Sequence, residues 1–426
     1  METTKFTAKQ QEIIQEAFRV WGENCFFNTS LNSLAEAIGI SKTALYRYFD
    51  GKDSILEAMK EYLLQVHQNL CVEVQEKAEG KDFSERFELY QKIVLGFYIE
   101  NYWYYRFIFI YFIPHSEESF ETLKKLRQFQ KDIFPINQLG SEFRWQPAVV
   151  QTVQNYIFSA AIFLLFHSGV STFSFEPIRA ADVEALNAKI IKEGFAGRAP
   201  LDQLDFQHIE DHCLVDRGEL LEPDRFFAAI AEVVGEVGLW EASLDKIARK
   251  AGMSKSSLYF HFKNRNDMLW EMIERERQRV GQLYLQKTEG YETFEERLYA
   301  YFVVFSSYME QRKDVLAVMN WFRFQGYKIE VPKDAAGRVS EYIEFLHEGI
   351  STGKLRKDSL GPLMLVQWIN HFLIQEIFHT ADAMRPSASV RRELLRASYR
   401  LFLYGVPGRK SIEGCPPGSE WLFDVF

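Results

Sequence analysis

A chain of 426 residues, 47% hydrophobic and 15% aromatic, is long enough for two to four domains and too apolar to stay unfolded. Its formal net charge of −9 argues against a uniformly basic nucleic-acid binder, but only the local surface meets phosphates, so the global sum decides little. Four scattered cysteines (Cys25, Cys71, Cys213, Cys415) form no Cys-x-x-Cys pair, which argues against a structural zinc and for a reducing, intracellular setting.

Taken in chain order, the predicted elements are helices. No basic flank followed by an apolar core opens the chain, so no signal peptide is expected. Apolar residues then recur three and four apart, first at Ile14, Phe18 and Trp21, later at Ile55, Met59, Tyr62, Leu63 and Val66. Each set makes one apolar stripe along a helix. The first helix is expected over 8–22, ending at a glycine suited to a left-handed cap. Ser30 is placed to cap a second helix by accepting from a free first-turn N–H, and Gly39 stops that helix. Ser41 caps a third, short helix that carries Leu45 and Phe49 inward.

Further along, residues 98–114 hold aromatics all round a helix, which predicts burial. That stretch and residues 156–166 both fall short of the ~18 apolar residues that cross a bilayer, so no membrane partner is expected. Residues 198–223 read as a polar, acidic linker. Within it Asp205, His208, Asp211, His212 and Cys213 gather metal-capable side chains at no standard zinc spacing, so a solvated linker without metal is expected. No alternating strand pattern is present, and the fold class is all-α.

After residue 223 the sequence starts again. Residues 35–49 return as 248–262, an offset of 213 and half of the 426 residues. Gly39 matches Gly252, Ser41 matches Ser254, and Leu45, Tyr46 and Phe49 match Leu258, Tyr259 and Phe262. A repeat of this length is a duplicated whole unit, not a solenoid repeat of roughly 20–50 residues. Weaker matches follow in the same order: Tyr98 with Tyr308, Pro147 with Pro362, Asn155 with Asn370, Gly194 with Gly405. A first helix over 225–235 and a cap at Ser243 complete the second copy.

Helix, glycine turn, capped short helix is a helix-turn-helix pattern, whose last helix enters the DNA major groove. A plain helical core accounts for Leu45, Phe49, the serine caps and the glycines. It does not account for Lys42, Thr43, Tyr46, Arg47 and Tyr48 turned outward. Residues 246–265 also carry six basic residues and no acid, whereas 33–52 carry three bases against Glu36 and Asp50.

Residues 30–56 and 243–269 closely resemble the DNA-binding domain of the TetR/AcrR family of bacterial transcriptional regulators. They share an apolar-Ala-x-x-x-Gly-apolar-Ser run, then Leu-Tyr-x-aromatic/His-Phe, then a basic residue and leucine. The resemblance implies that Lys255, Ser256 and Ser257 touch bases, that Tyr259 and His261 hold phosphates, and that Ser243 and Arg265 meet the backbone. The first-copy counterparts are Lys42, Thr43, Ala44, Tyr46, Tyr48, Ser30 and Lys52. Ala44 lacks the hydroxyl usual at its position, and Asp50 stands opposite Lys263, so the first half-site contact is expected to be weaker.

The resemblance further implies an α-helical ligand-binding and dimerisation domain after each head. The implied division is 1–52 and 223–265 as heads, 53–200 and 266–426 as helical domains, and 201–222 as linker. Residues 147–168 and 362–380 correspond to the family's four-helix dimer interface. One chain holding both can close that interface internally as a monomeric pseudo-dimer, with a homodimer as the alternative. Tyr102, Arg106, Phe109, Tyr308 and Trp321 are candidate ligand contacts for a flat or lipophilic effector, with Arg106 and Arg323 suited to an anionic group; simple core packing is the favoured account of any one of them, and a core-edge ion pair accounts equally well for either arginine.

No Gly-x-Ser-x-Gly, P-loop or His-Glu-x-x-His run is present, so neither an enzyme nor a cofactor is expected. The expected function is that of a cytoplasmic, ligand-responsive repressor bound to double-stranded DNA at an asymmetric operator. The alternative is a regulator or scaffold in which only the second head binds DNA.

Overall fold

The computed structural model describes residues 5–24, 29–111, 125–126, 128–129, 133, 147–168, 178–220, 225–254, 256, 265–312, 314–318, 341–382 and 387–406. Among these, every regular element is a helix, apart from isolated bridges joining Ser168 to Ile178 and Ala196 to Leu355. Described residues up to Ile133 form one compact unit and those from Pro147 onward form another. The last two described helices of the first repeat therefore belong to the second unit.

The first unit opens with α1 (Ala8–Asn24), α2 (Leu31–Ile38), α3 (Lys42–Leu45) and the long α4 (Lys52–Lys77). The stripe on α1 is buried in full: Ile13, Ile14, Ala17, Phe18 and Trp21. The stop expected at Gly22 is absent, because α1 runs on to Asn24. Gly22 serves space instead of a turn: a Cβ there would lie 2.7 Å from the Trp103 ring. The second copy departs likewise, its first helix continuing past Gly235 to Glu241.

The aromatic stretch forms two helices, not one. Helix α5 (Phe83–Tyr90) passes through a π-helical turn (Gln91–Leu95) into α6 (Gly96–Glu100). Asn101 then leaves helical geometry, its side-chain amide donating to the Phe97 carbonyl at 3.0 Å, and α7 (Tyr102–Tyr111) begins. Helix α7 lies against α1, where Tyr104 stacks on Phe18 with centroids 4.2 Å apart and Phe107 meets the same ring edge-on at 4.9 Å. Deeper in this unit His67 and Tyr98 are buried together, Nδ1 lying 2.9 Å from the hydroxyl.

The second unit begins with α8 (Pro147–His167) and α9 (Val183–Glu193) from the first repeat. The sequence expectation of a short apolar stretch underestimates α8: Val149–His167 is long and apolar enough to cross a membrane by length and composition. It is instead 78% buried within the protein, as a core helix is. Next come α10 (Phe206–Cys213), α11 (Arg225–Glu241), α12 (Leu244–Lys250), α13 (Arg265–Lys287), α14 (Phe294–Gln311), α15 (Glu344–Ser351), α16 (Pro362–Asp382) and α17 (Ala388–Tyr404).

Helix α8 packs against α16 and α17, so helices from the two repeats share one core. Tyr156 and Phe163 meet Trp368 edge-on at 5.7 and 5.4 Å, and burying each such ring contributes about 2–3 kcal/mol. Glu376 of α16 accepts from Thr152 Oγ1 at 2.8 Å and from Asn155 Nδ2 at 2.7 Å. Beyond α9 and α17 the two backbones join: Phe195 N–H donates to the Phe402 carbonyl, Ala196 N–H to Leu403, and Val406 N–H to Ile191. Gly194 and Gly405 both end their helices at positive φ, +61° and +70°.

The stretch expected to be a solvated linker is partly a packed helix. Phe206 of α10 meets Tyr299 edge-on at 4.8 Å, and Glu210 is buried while accepting from Arg396 at 2.7 and 2.8 Å and from the Tyr299 hydroxyl at 2.6 Å. His208 and His212 are exposed, whereas Cys213 is buried beside Tyr291. No group of three metal-capable side chains occurs among the described residues.

Two tests follow from this packing. In Gly405→Ala a Cβ would sit 2.5 Å from the Ile191 carbonyl oxygen at positive φ, so urea unfolding should show a loss of about 3 kcal/mol or more. Gly80→Ala, also at positive φ but facing open space, should cost only about 1–2 kcal/mol. Burial also lowers the pKa of both His67 and His167 to about 4. The unfolded chain then binds protons that the folded chain refuses, so stability is full above about pH 6.5 and is lost as pH falls towards 4. Each histidine should cost about 2 kcal/mol by pH 5, and His67→Leu should shrink the pH dependence of denaturant unfolding by that amount.

Candidate nucleic-acid interface

The candidate interface of the first repeat is set by two serine caps and one glycine turn. Ser30, in extended backbone, accepts from the Ser33 N–H at 3.1 Å and starts α2. At the far end Gly39 (φ +74°) lets its own N–H reach the Glu36 carbonyl at 3.0 Å and the Ile40 N–H reach Ala35 at 2.9 Å. This double closure is a Schellman turn, which favours glycine because other residues strain at positive φ. Ser41 then accepts from the Ala44 N–H at 3.1 Å and starts α3.

With the turn fixed, the faces of α3 sort by burial. Leu45 and Phe49 are buried against the rest of the head. Lys42, Thr43 and Arg47 are exposed, as are Tyr46 at 48% and Tyr48 at 38%. Two large rings left in water beside basic side chains suit a surface that contacts phosphates and bases. The Lys42 ammonium lies 6.0 Å from the Tyr46 ring centre, and Lys52, at the start of α4, lies 5.9 Å from Trp21. Ser30 is exposed; Ala44 and Lys52 are half-buried.

The second repeat shows the same local architecture where it is described. Ser243 accepts from the Lys246 N–H at 3.3 Å and starts α12. Gly252 (φ +66°) bonds the Arg249 carbonyl at 3.0 Å, and Met253 bonds Ala248 at 2.9 Å, reproducing the turn at Gly39 bond for bond. Ser256 is exposed and helical, and Arg265 opens α13. The Arg265 side chain and Lys255, Ser257, Tyr259 and His261 lie outside the described residues. One basic residue of this head is already engaged: Lys250 pairs with Glu232 at 3.0 Å and Glu236 at 2.5 Å. The acid-free window missed these partners, since both come from α11, more than a dozen positions earlier in the chain.

The candidate effector residues separate. Tyr102 and Arg106 are half-buried on α7, where burial raises the Tyr102 hydroxyl pKa and Arg106 opposes the rise. Tyr308 is buried in α14, donating to Glu276 and accepting from the Arg312 guanidinium at 3.0 Å. Arg312 also holds Asp314 through two nitrogens and is itself buried. The Phe109 side chain, Trp321 and Arg323 lie outside the described residues.

Fold and surface together define a helix-turn-helix DNA-binding protein in which the motif occurs twice. The profile described as bacterial regulatory proteins, tetR family, matches residues 13–59 and again 226–272. The chain is 30% identical over 73 residues to the uncharacterized HTH-type transcriptional regulator YerO of Bacillus subtilis (strain 168). That match takes in 17% of this chain and 25% of the relative, so it spans a quarter of that protein's length. Among solved structures, the TetR family transcriptional regulator PfmR from Thermus thermophilus is 21% identical, over 42% of this chain and 95% of its own, with a TM-score of 0.33. The fatty acid degradation regulator FadR from Bacillus halodurans is 19% identical, over 44% and 97%, also with a TM-score of 0.33. The chain thus carries, twice, a segment that matches the tetR family of bacterial regulatory proteins.

Removing Lys42 and Tyr46 together by alanine should weaken binding to an operator fragment by about 2 kcal/mol and lower the salt slope by about 1–2. Fluorescence anisotropy across a salt series measures both. Both positions are exposed, so the thermal transition of the variant should stay unchanged.

Proposed function

We propose that the chain is a ligand-responsive repressor that folds as an intramolecular pseudo-dimer and reads one asymmetric operator in the cytoplasm. The functional division is heads at 1–52 and 223–265, helical domains at 53–200 and 266–426, and a joining segment at 201–222. The observation that carries the reading is the reciprocal junction at Gly194 and Gly405. These positions match in the repeat, and each glycine has the other half's backbone where its side chain would be. A contact in which the same position serves both partners is the mark of an interface related by a two-fold axis.

In this reading Lys42, Thr43 and Ala44 face bases in one half-site, with Ser30, Tyr46, Tyr48 and Lys52 on phosphates. Lys255, Ser256 and Ser257 face bases in the other, with Ser243, Tyr259, His261 and Arg265 on phosphates. The outward residues differ (Ala44 against Ser257, Arg47 against Phe260, Tyr48 against His261), so the half-sites differ. Phosphate contacts supply most of the affinity, and base contacts set the sequence.

The effector is a lipophilic or aromatic molecule in the first helical domain, with Tyr102, Arg106 and Phe109 in its path. Support comes from the contrast between the two domains. The first pairs Tyr98 with a histidine kept neutral by burial, while the second ties Tyr308 into a charged network with Glu276 and Arg312. Coupling to DNA needs a helix that moves with the ligand and touches the head, and α7 against α1 is such a helix. Occupancy lowers DNA affinity only by as much as the ligand prefers the non-binding geometry.

A footprint of the purified chain on its own upstream DNA tests this reading. One chain per operator and protection of two unequal half-sites are expected. Replacing either half-site by a copy of the other should cost about 1–3 kcal/mol per altered contacted base pair. Equal affinity for a symmetrised operator, or two chains per site, overturns it.

A further inference from the structure

The turn into the recognition helix carries opposite charges in the two repeats. The family match begins at Ile13 in one copy and at Phe226 in the other, so Glu12 aligns with Arg225 and Glu36 with Arg249. All four residues are exposed. In the second head the Arg225 guanidinium lies over the turn, and a Cβ on Gly252 would collide with its Nη2. A Cβ on Gly39, the matching glycine, would meet nothing within 4 Å. Arg249 flanks the same turn, its carbonyl accepting from the Gly252 N–H at 3.0 Å and its Nε donating to the Asp245 carbonyl at 3.3 Å. Among the described residues no carboxylate pairs with either arginine. In the first head the Glu36 carbonyl takes the Gly39 N–H, also at 3.0 Å, and Glu12 pairs with Lys9 at 2.6 Å.

Cations near the end of a helix offset the partial negative charge of its last carbonyls, which is the structural role open to these arginines. The first head closes the same turn bond for bond with two glutamates at those positions, so the turn does not require them. Two guanidiniums without carboxylate partners, beside Ser254 and Ser256 at the start of the recognition helix, suit an anion with several acceptor oxygens. For a helix that enters the major groove, that anion is a phosphate of the DNA backbone. We propose that Arg225 and Arg249 hold a backbone phosphate beside the turn of the second head. The first head lacks this contact, because Glu36 repels a phosphate there and Glu12 already engages Lys9. The proposal rests on the reading of both segments as DNA-binding heads, and it adds a difference in grip to their difference in sequence. The second head takes one phosphate more than the first, so it supplies the larger share of the salt-dependent affinity.

Fluorescence anisotropy of the full chain on a duplex of unrelated sequence, about 30 base pairs long, tests this across a salt series, because phosphate contacts need no operator. Replacing Arg225 and Arg249 together by alanine should lower the slope of log affinity against log salt by about 1 and weaken binding about tenfold at about 0.1 M salt. Arg225→Lys with Arg249→Lys should keep the slope, since an ammonium also displaces a counterion. A role confined to the turn would instead shift the thermal transition and leave the slope alone. Glu12→Arg with Glu36→Arg should raise the slope by about 1. Glu76→Arg with Glu79→Arg, the same charge change near the exposed far end of α4, should not. An unchanged slope in the alanine pair, a lysine pair that loses it, or an equal rise in the two glutamate pairs each overturns the proposal. The glutamate comparison decides the matter if the alanine pair fails to fold. Failure of the operator reading shows separately, as equal half-sites protected by the unaltered chain.

Discussion

Two peptide segments cross where α9 and α17 end, and neither has room for a side chain. Gly194 and Gly405 hold left-handed φ, which releases the chain from the helix. A Cβ on either would enter the other's backbone, 2.5 Å from the Gly405 nitrogen in one case and 2.5 Å from the Ile191 oxygen in the other. Because the crossing is this close, Phe195 and Phe402 stack at 4.8 Å, and the backbone groups beyond the helices find partners in the opposite repeat. Buried backbone groups left unpaired would cost about 1–3 kcal/mol each, so the register of the two repeats is held by hydrogen bonds as well as by apolar area. The rings of α8 and α16 pack in the same core, Tyr156 and Phe163 against Trp368.

That junction also shows how far the copies have diverged. Glu376 takes hydrogen bonds from Thr152 and Asn155, yet the match of Asn155 with Asn370 puts Ala161 opposite Glu376 in the repeat. A pairing of identical halves would make each polar contact twice; here it is made once. A chain that carries both partners can accept such a one-sided contact, because no second chain has to satisfy it in reverse.

Legibility followed the range over which each feature is determined. The glycine turns at Gly39 and Gly252 were readable because a local signal, glycine followed by a capping serine, sets them within a few residues. Gly22 and Gly235 look the same in sequence, but α1 runs through the former, and what Gly22 answers to is Trp103, about eighty positions away. Sequence separates a glycine kept for φ from one kept for space only when the turn chemistry follows it. The joining helix α10 was hidden by polarity, since Phe206, Ile209 and Cys213 make one short stripe in eight residues, and its anchor is a buried carboxylate that pairs with Arg396. The exposed side chains of α3 were readable from their spacing alone, because Leu45 and Phe49 fix which face is left for the solvent.

The same logic separates the two helical domains. Tyr98 and Tyr308 match in the repeat and both are buried, yet one hydroxyl meets a histidine and the other meets a carboxylate. Burial disfavours charge on His67, and its pKa near 4 leaves that core uncharged at neutral pH. Around Tyr308, Glu276 is charge-compensated by Arg279 and Arg312, and Asp314 backs the latter. Breaking such a network by removing one member strands a buried charge at about 3–5 kcal/mol, so a core of that kind resists opening for an apolar guest. In the function proposed above, a neutral aromatic core whose helix α7 stacks on α1 passes a displacement to the head through a shift of ring contacts. Duplication within one chain permits the two cores to differ in this way, because each copy's core can change without changing the other's.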